Sequence, residues 1–337
     1  MIQNIKLSNF GVIEELEWNN LGKINVIVGE NGSGKTFLLK SLYASLKTIE
    51  VYRRGNEMKK DSELLVDKLH WTYQVNKIGD LVMKGADNPL KYEMKFNNRE
   101  FEFSFGKSAT KNITRIRNNV DIRKENSIFL PAKEVLSLYD VILESRENDR
   151  LFGFDDTYYD LVKALKIPKS KGKNYKEFAK SREMLDKIID GRVEFDSVDN
   201  NWYFKRGNQK FSIHSTAEGI KKISILDHLL GNRYLDKESV IFIDEPEAAI
   251  HPKAISQFME ILKVLTDNQI QVFIATHSYF VLKKLHIIAK REDISIPIIS
   301  LDNEGNSFTS DLQIEMPDNE IVNESIRIYE EEIEADY

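Results

Sequence analysis

The chain has 337 residues, of which 41% are hydrophobic and 30% charged, enough apolar side chains for real cores and a charge content suited to a globular protein. There is no cysteine, which excludes disulfides, thiolate metal sites and cysteine nucleophiles. A formal net charge of −6 argues against a uniformly basic nucleic-acid coat and leaves room for a local basic patch.

The length suggests about two domains, or one with a large insertion. The opening MIQNIKLSNF has neither a basic region nor an apolar run, so it does not read as a signal peptide, and no uncharged stretch is long enough to span a bilayer. The expectation is a cytoplasmic protein with no membrane partner.

The run INVIV (Ile24 to Val28) reads as a buried strand and is followed by GENGSGKT, Gly29 to Thr36, which fills every fixed position of G-x-x-x-x-G-K-[ST]. Apolar residues then recur at helical spacing from Phe37 to Leu46. Strand, glycine-rich loop and helix form the context of a phosphate-binding loop. Gly29, Asn31, Gly32, Ser33 and Gly34 turn backbone N–H groups around a polyphosphate, with Phe37 just beyond the loop. Lys35 reaches the β- and γ-phosphates, and Thr36 offers a hydroxyl to Mg²⁺. No base-reading residue is identifiable from the sequence; Phe10, near the loop, is the one side chain suggested for contact with the nucleotide.

From Lys68 to Phe105 the alternating segments LHWTYQV, KYEMKF and EFEFSF read as antiparallel strands. SIFLPAKEVLS follows, where Glu134 either reaches Mg²⁺ or begins a helix with favourable dipole placement. VLSLYDVILES and FAKSREMLDKIID carry helical spacing, and VEFDSVDNNWYFKRG is a hairpin signal. Between Lys166 and Arg182 lies a basic segment with Lys169, Lys171, Lys173, Lys176 and Lys180. It reads first as a solvated loop and second as a nucleic-acid contact.

HSTAEGIKKISIL (His214 to Leu226) reads as a helix with an open, glycine-bearing start, either an anion site or an ordinary capped helix. VIFIDEPEAAIHP (Val240 to Pro252) reads as a buried parallel strand presenting Asp244 and Glu245 at its C-terminal end, where open α/β sheets place their ligands. Asp244 is placed to hold Mg²⁺ and Glu245 to polarise water. The other reading is an N-capping pair before the next helix. IQVFIATHS (Ile270 to Ser278) is a further strand ending at His277, and after SIPIISL an amphipathic helix runs from Asn319 into an acidic tail.

The order of these motifs, with an L-x-N-F (Leu7 to Phe10) before the glycine loop, resembles an ABC-type ATPase head of the group containing RecF, SMC-type heads and the OLD and Septu defence ATPases. The resemblance covers Met1 to about Lys47 and about Phe211 to Leu301, and DEPEAAIHP is its most specific part. It implies an α/β fold: a P-loop NTPase head with a mixed central sheet, a flanking antiparallel β-subdomain and a helical lobe. The expected division is 1–130 (first part of the nucleotide lobe), 131–210 (helical lobe) and 211–337 (second part). It implies ATP and Mg²⁺ as cofactors and gives Lys35 to phosphate, Thr36 and Asp244 to Mg²⁺, Glu245 to the catalytic base and His277 to the switch histidine. Ala248 to His251 would form the D-loop. Ser215, Glu218 and Gly219 would stand in the signature motif that closes over the ATP of a second subunit. STAEG departs from LSGGQ, and Glu134 stands where the family has a glutamine.

With no second catalytic centre in the sequence, the expectation is an ATPase that forms a homodimer on ATP and controls a separate effector in anti-phage defence. The alternative is a RecF-like repair ATPase that binds nucleic acid through Lys166–Arg182. A transporter subunit is disfavoured by STAEG, by the missing glutamine and by DEPEAAIHP.

Overall fold

A computed structural model describes residues 1–169, 178–199 and 201–335. Two compact units emerge, one formed by residues 1–124 with 273–337, the other by 125–272.

The first unit opens with β1 (Ile2–Phe10), β2 (Ile13–Trp18) and β3 (Ile24–Gly29), then α1 (Lys35–Val51) and α2 (Asp61–Tyr73). β4 (Leu90–Phe96), β5 (Arg99–Phe105) and β6 (Arg115–Asn118) complete an antiparallel sheet in the order β2-β1-β4-β5-β6. In β4 every second residue is buried, so Leu90, Tyr92, Met94 and Phe96 share the core face. The full register pairs Leu90 with Phe105 through Phe96 with Arg99.

LHWTYQV is not a strand: it falls at the end of α2, apart from its last two residues. Leu64, Leu65, Leu69 and Thr72 are buried at helical spacing, and that longer 3.6-residue period overrides the local alternation. α1 is held at its far end by buried charge, with Glu50 2.9 Å from Lys47 and 3.4 Å from Arg123.

The second unit contains β7 (Ser127–Leu130), α3 (Tyr139–Glu147), α4 (Asp156–Leu165) and α5 (Ala179–Ile189). A three-stranded antiparallel sheet follows, β10-β9-β8, made of β8 (Arg192–Asp196), β9 (Asn201–Arg206) and β10 (Gln209–Ser212). The hairpin expected from VEFDSVDNNWYFKRG is the β8–β9 pair, with Asp196 opposite Asn201. α6 (Glu218–Gly231), β11 (Val240–Asp244) and α7 (Pro252–Asp267) complete the unit. β11 is buried throughout and runs parallel to β7, with Val240 opposite Ser127. α7 starts with Pro252 in its first turn, and His251 Nδ1 accepts from the Lys253 N–H as its cap.

β12 (Gln271–Thr276) carries the chain back into the first unit, where α8 (Tyr279–Glu292), β13 (Pro297–Leu301), β14 (Ser307–Asp311) and α9 (Glu320–Ala335) follow. β13 pairs parallel with β3 and antiparallel with β14. Among the described residues no helix is long and apolar enough to cross a membrane.

Candidate nucleotide site

β3 delivers the chain, fully buried, to Gly29. Gly29 has φ +153°, and a β-carbon there would lie 2.2 Å from the Leu301 carbonyl oxygen. Gly34, at φ +97°, is the N-cap of α1, and a β-carbon on it would lie 2.8 Å from Val12 Cγ2. Both positions therefore require glycine. No side chain caps α1 and no acid stands in its first turn. An uncapped helix start with no acid in its first turn favours a bound anion through its N–H groups and its dipole.

Two further observations test the loop against a phosphate. Lys35 is buried and bent back over the loop, its Nζ donating to the carbonyls of Gly29 at 2.8 Å and Glu30 at 2.6 Å. Ser33 Oγ is buried with no hydrogen-bond partner among the described residues. A buried hydroxyl without a partner costs about 1–3 kcal/mol, and a phosphate oxygen would satisfy it. Asn31 and Gly32 are exposed at the loop's tip, and Asn303 Nδ2 donates to Glu30 Oε2 at 2.5 Å. The loop fits a phosphate group.

The neighbouring aromatics pack on one another. Phe10 is fully buried, with ring centroids 5.1 Å from Phe37, 5.8 Å from Tyr73 and 6.4 Å from Tyr92. The suggestion that Phe10 contacts the nucleotide is thus corrected: its ring is core. Phe37 turns the same way, 4.6 Å from Tyr73, and covers Gly11, where a β-carbon would meet its ring at 2.3 Å. His277 is exposed directly after β12, and Ser278 then caps α8 by accepting from the Val281 N–H.

In the second unit β11 ends at Asp244, buried to 7% exposure, and Glu245 follows with φ +46°. The turn continues through Ala248, whose N–H donates to the Glu245 carbonyl at 3.1 Å, and Ala249, again left-handed at φ +60°. α6 begins beside this turn. Ser215 is exposed, Ala217 is an N-cap without a capping side chain, and Glu218 places a negative charge in the first turn. That charge suits the helix dipole but opposes an approaching phosphate.

One residue of this group escaped the sequence reading. Lys222 Nζ donates to the carbonyl oxygen of Glu245 at 2.6 Å and stands 3.4 Å from that of Asp244. Burial pulls its ammonium down to about 8, against the nearby charges of Glu247, Asp244 and Glu245. Glu134 is held locally: its two carboxylate oxygens accept from the Ser137 N–H at 2.9 and 3.1 Å. It also stands 3.9 Å from Lys221, so the helix-starting reading matches its partners, and any metal contact must compete with them.

Among the described residues no group of three or more His, Asp or Glu side chains is arranged to hold a metal on its own. The Thr36 hydroxyl in the first unit and the Asp244 carboxylate in the second are each a hard oxygen of the kind Mg²⁺ takes, the ion completing its shell with phosphate oxygens and water.

The basic segment is only partly described: Lys171, Lys173 and Lys176 lie outside the described residues. Lys169 and Arg182 turn inward to Asp227 of α6, at 2.6 and 2.8 Å. These two cations are therefore committed to an internal carboxylate rather than to a surface patch.

Residues 76–283 match the family described as AAA domain, putative AbiEii toxin, Type IV TA system. The chain belongs to that family. AAA domains of this kind are P-loop NTPases, and the relatives place the chain with the ABC-type ATPase heads of the RecF/SMC/OLD group. It is 35% identical over 91 residues to the DNA replication and repair protein RecF of Bacillus velezensis, covering 27% of this chain and 22% of RecF. It is 36% identical over 78 residues to the Old nuclease of Escherichia phage P2, covering 22% of this chain and 13% of that protein. In every case the match spans less than half the length of the curated relative. The fold resembles an SmcHead solved bound to the C-winged helix domain of ScpA, with a TM-score of 0.54 at 13% identity over 92% of this chain and 97% of that one.

Proposed function

We propose that this protein is a Mg²⁺-dependent ATPase that works as a nucleotide-driven switch on a separate effector protein. The observation that carries this reading is the phosphate cradle: two obligatory glycines, an uncapped helix start, a buried lysine turned over the loop and a buried serine hydroxyl awaiting an acceptor or donor.

In this reading the Gly29–Thr36 backbone binds the triphosphate, and Lys35 exchanges its carbonyl partners for phosphate oxygens. Thr36 and Asp244 hold Mg²⁺, which offsets the phosphate charge. Glu245 orients a water and takes its proton, and His277 contacts the γ-phosphate. Ser215, Glu218 and Gly219 close over the ATP of a second copy, so that hydrolysis releases the pair. Glu218 and the missing glycine pair make that closure weaker than LSGGQ would.

The effector and the defence role are supported by the family description and by the Old nuclease among the relatives. The SmcHead neighbour was solved with a protein partner, which supports a protein rather than a small molecule as the output. A nucleic-acid role loses support from the inward pairing of Lys169 and Arg182.

The test is phosphate release by purified protein with ATP and Mg²⁺, alongside the mass of the Glu245→Gln form with and without ATP. Release that Lys35→Ala and Glu245→Gln both abolish, with an ATP-dependent doubling of mass in Glu245→Gln, is the expected result. Undiminished release in Glu245→Gln would remove the base assignment. A mass that ignores ATP would remove the dimer.

A further inference from the structure

Glu245 occupies a backbone position that its sequence does not favour. It lies at φ +46° immediately before Pro246. Proline sterically drives its predecessor toward extended backbone. A non-glycine residue in the left-handed region is strained and persists only where its surroundings over-determine it.

The surroundings here are two donors on one carbonyl. The Ala248 N–H reaches the Glu245 oxygen from within the turn, at 3.1 Å. Lys222 Nζ reaches it at 2.6 Å from α6, 23 residues away in sequence. The second contact cannot be local turn chemistry, because it comes from a different element. The charges facing the Lys222 ammonium are Glu247, Asp244 and Glu245, from the end of β11 and the turn that follows it. A mostly buried ammonium is costly to hold, so a site that keeps one is specified by those oxygens.

The first turn of α6 is fixed against the same loop by a second, independent contact: a β-carbon on Gly219 would lie 2.9 Å from the Ala249 carbonyl. Lys221, the adjacent residue, projects elsewhere and donates to Ser137 Oγ at 2.7 Å. Of the two lysines only Lys222 addresses the acid pair.

We propose that Lys222 is a positioning residue for Glu245: it grips the main chain of the acid pair, keeps Glu245 in its left-handed conformation, and makes the aim of the Glu245 carboxylate depend on how α6 is seated. The proposal deepens the ATPase reading above and rests on Glu245 as the base.

The experiment compares wild type, Lys222→Met and Lys222→Arg. Methionine retains the apolar stem without the donor, and arginine restores a donor at similar reach. Two readouts are taken: steady-state ATPase kinetics with direct nucleotide binding, and hydrogen–deuterium exchange of peptides covering residues 245–250.

In Lys222→Met, kcat is expected to fall roughly 10- to 100-fold, the penalty of a misplaced catalytic group. Nucleotide affinity and KM should stay within about twofold, since the Lys222 ammonium is spent on the main-chain oxygens of Asp244 and Glu245. Exchange at 245–250 should rise, and Lys222→Arg should recover part of both losses. A kcat at the wild-type level with unaltered exchange overturns the proposal. So does a matched fall in affinity and thermal stability that arginine does not rescue. If wild type releases no phosphate, the base assignment of Glu245 fails instead, and the exchange readout decides the grip by itself: unchanged protection in Lys222→Met then overturns it.

Discussion

Gly219 and Ala249 meet backbone to backbone: a β-carbon on Gly219 would sit 2.9 Å from the Ala249 carbonyl oxygen and 3.3 Å from Ile250 Cγ1. Glycine inside a helix is normally about 1 kcal/mol worse than alanine, so its presence in the first turn of α6 has a packing cause. Gly219→Ala is expected to lower stability by roughly 1–3 kcal/mol despite the gain in helix propensity, because main-chain atoms must shift to admit the methyl. Urea unfolding measures it, and a stabilised variant would show the contact to be loose.

Substitutions at Ser33 and Lys35 should both weaken nucleotide binding but part company in stability. Ser33→Ala deletes a buried hydroxyl that has no partner among the described residues, so stability is expected to hold or rise by up to about 1 kcal/mol. Nucleotide affinity should nonetheless fall severalfold. Lys35→Ala removes a buried cation from the Gly29 and Glu30 carbonyls and should cost both stability and about 10- to 100-fold in ATP affinity. Calorimetric binding with parallel thermal melts separates the two. Equal affinity in Ser33→Ala would detach that hydroxyl from the phosphate.

Phe10 belongs to the core, and its replacement should act only there. Phe10→Ala is expected to cost about 3–5 kcal/mol, the usual range for a large aromatic removed from a packed interior. The ratio of ATP to GTP turnover in the folded fraction should not change. A shifted ratio would return the ring to the nucleotide.

Acid sensitivity should be traceable to His228. Burial, with the Lys169 charge adding to it, pulls this imidazole from 6.5 down to about 4. Above pH 6.5 the ring is neutral in both states and its contribution is complete. Between pH 6.5 and 4 the unfolded chain binds the proton and the folded one does not, so stability falls with falling pH, by on the order of 3 kcal/mol in all. His228→Leu should flatten that slope, and the Ile167 carbonyl it leaves keeps the Asn232 donor at 3.1 Å. Urea midpoints at neutral pH and near pH 5 check it. An unchanged slope assigns the sensitivity elsewhere.

The parts of this molecule that were legible in its sequence are those whose logic is local. Ile24 to Val28 is apolar and β-branched, Gly29 to Thr36 is a fixed pattern, and both appear as strand, loop and helix start. The hairpin around Asp196 and Asn201 announced itself by alternation and turn residues. LHWTYQV misled because seven residues of alternation hid a helix whose buried positions begin earlier, at Leu64. Phe10 misled because proximity along the chain says nothing about which way a strand residue faces. Lys222 was invisible for a different reason. A lysine in a helix reads as solvated, and its partners are main-chain oxygens 22 and 23 residues away, which carry no side-chain signature at all.

Consecutive residues on an α-helix project about 100° apart, so the Lys221–Lys222 pair sends two identical side chains to two separate loops, one at Ser137 and the other at Glu245. Rolling α6 about its own axis to relax one attachment would pull the other off its oxygen. The helix is therefore keyed in rotation: a motion that keeps both attachments must carry both contacts with it, and a one-residue insertion between Lys222 and Ile223 would turn both lysines about 100° away from their oxygens relative to the buried residues that follow.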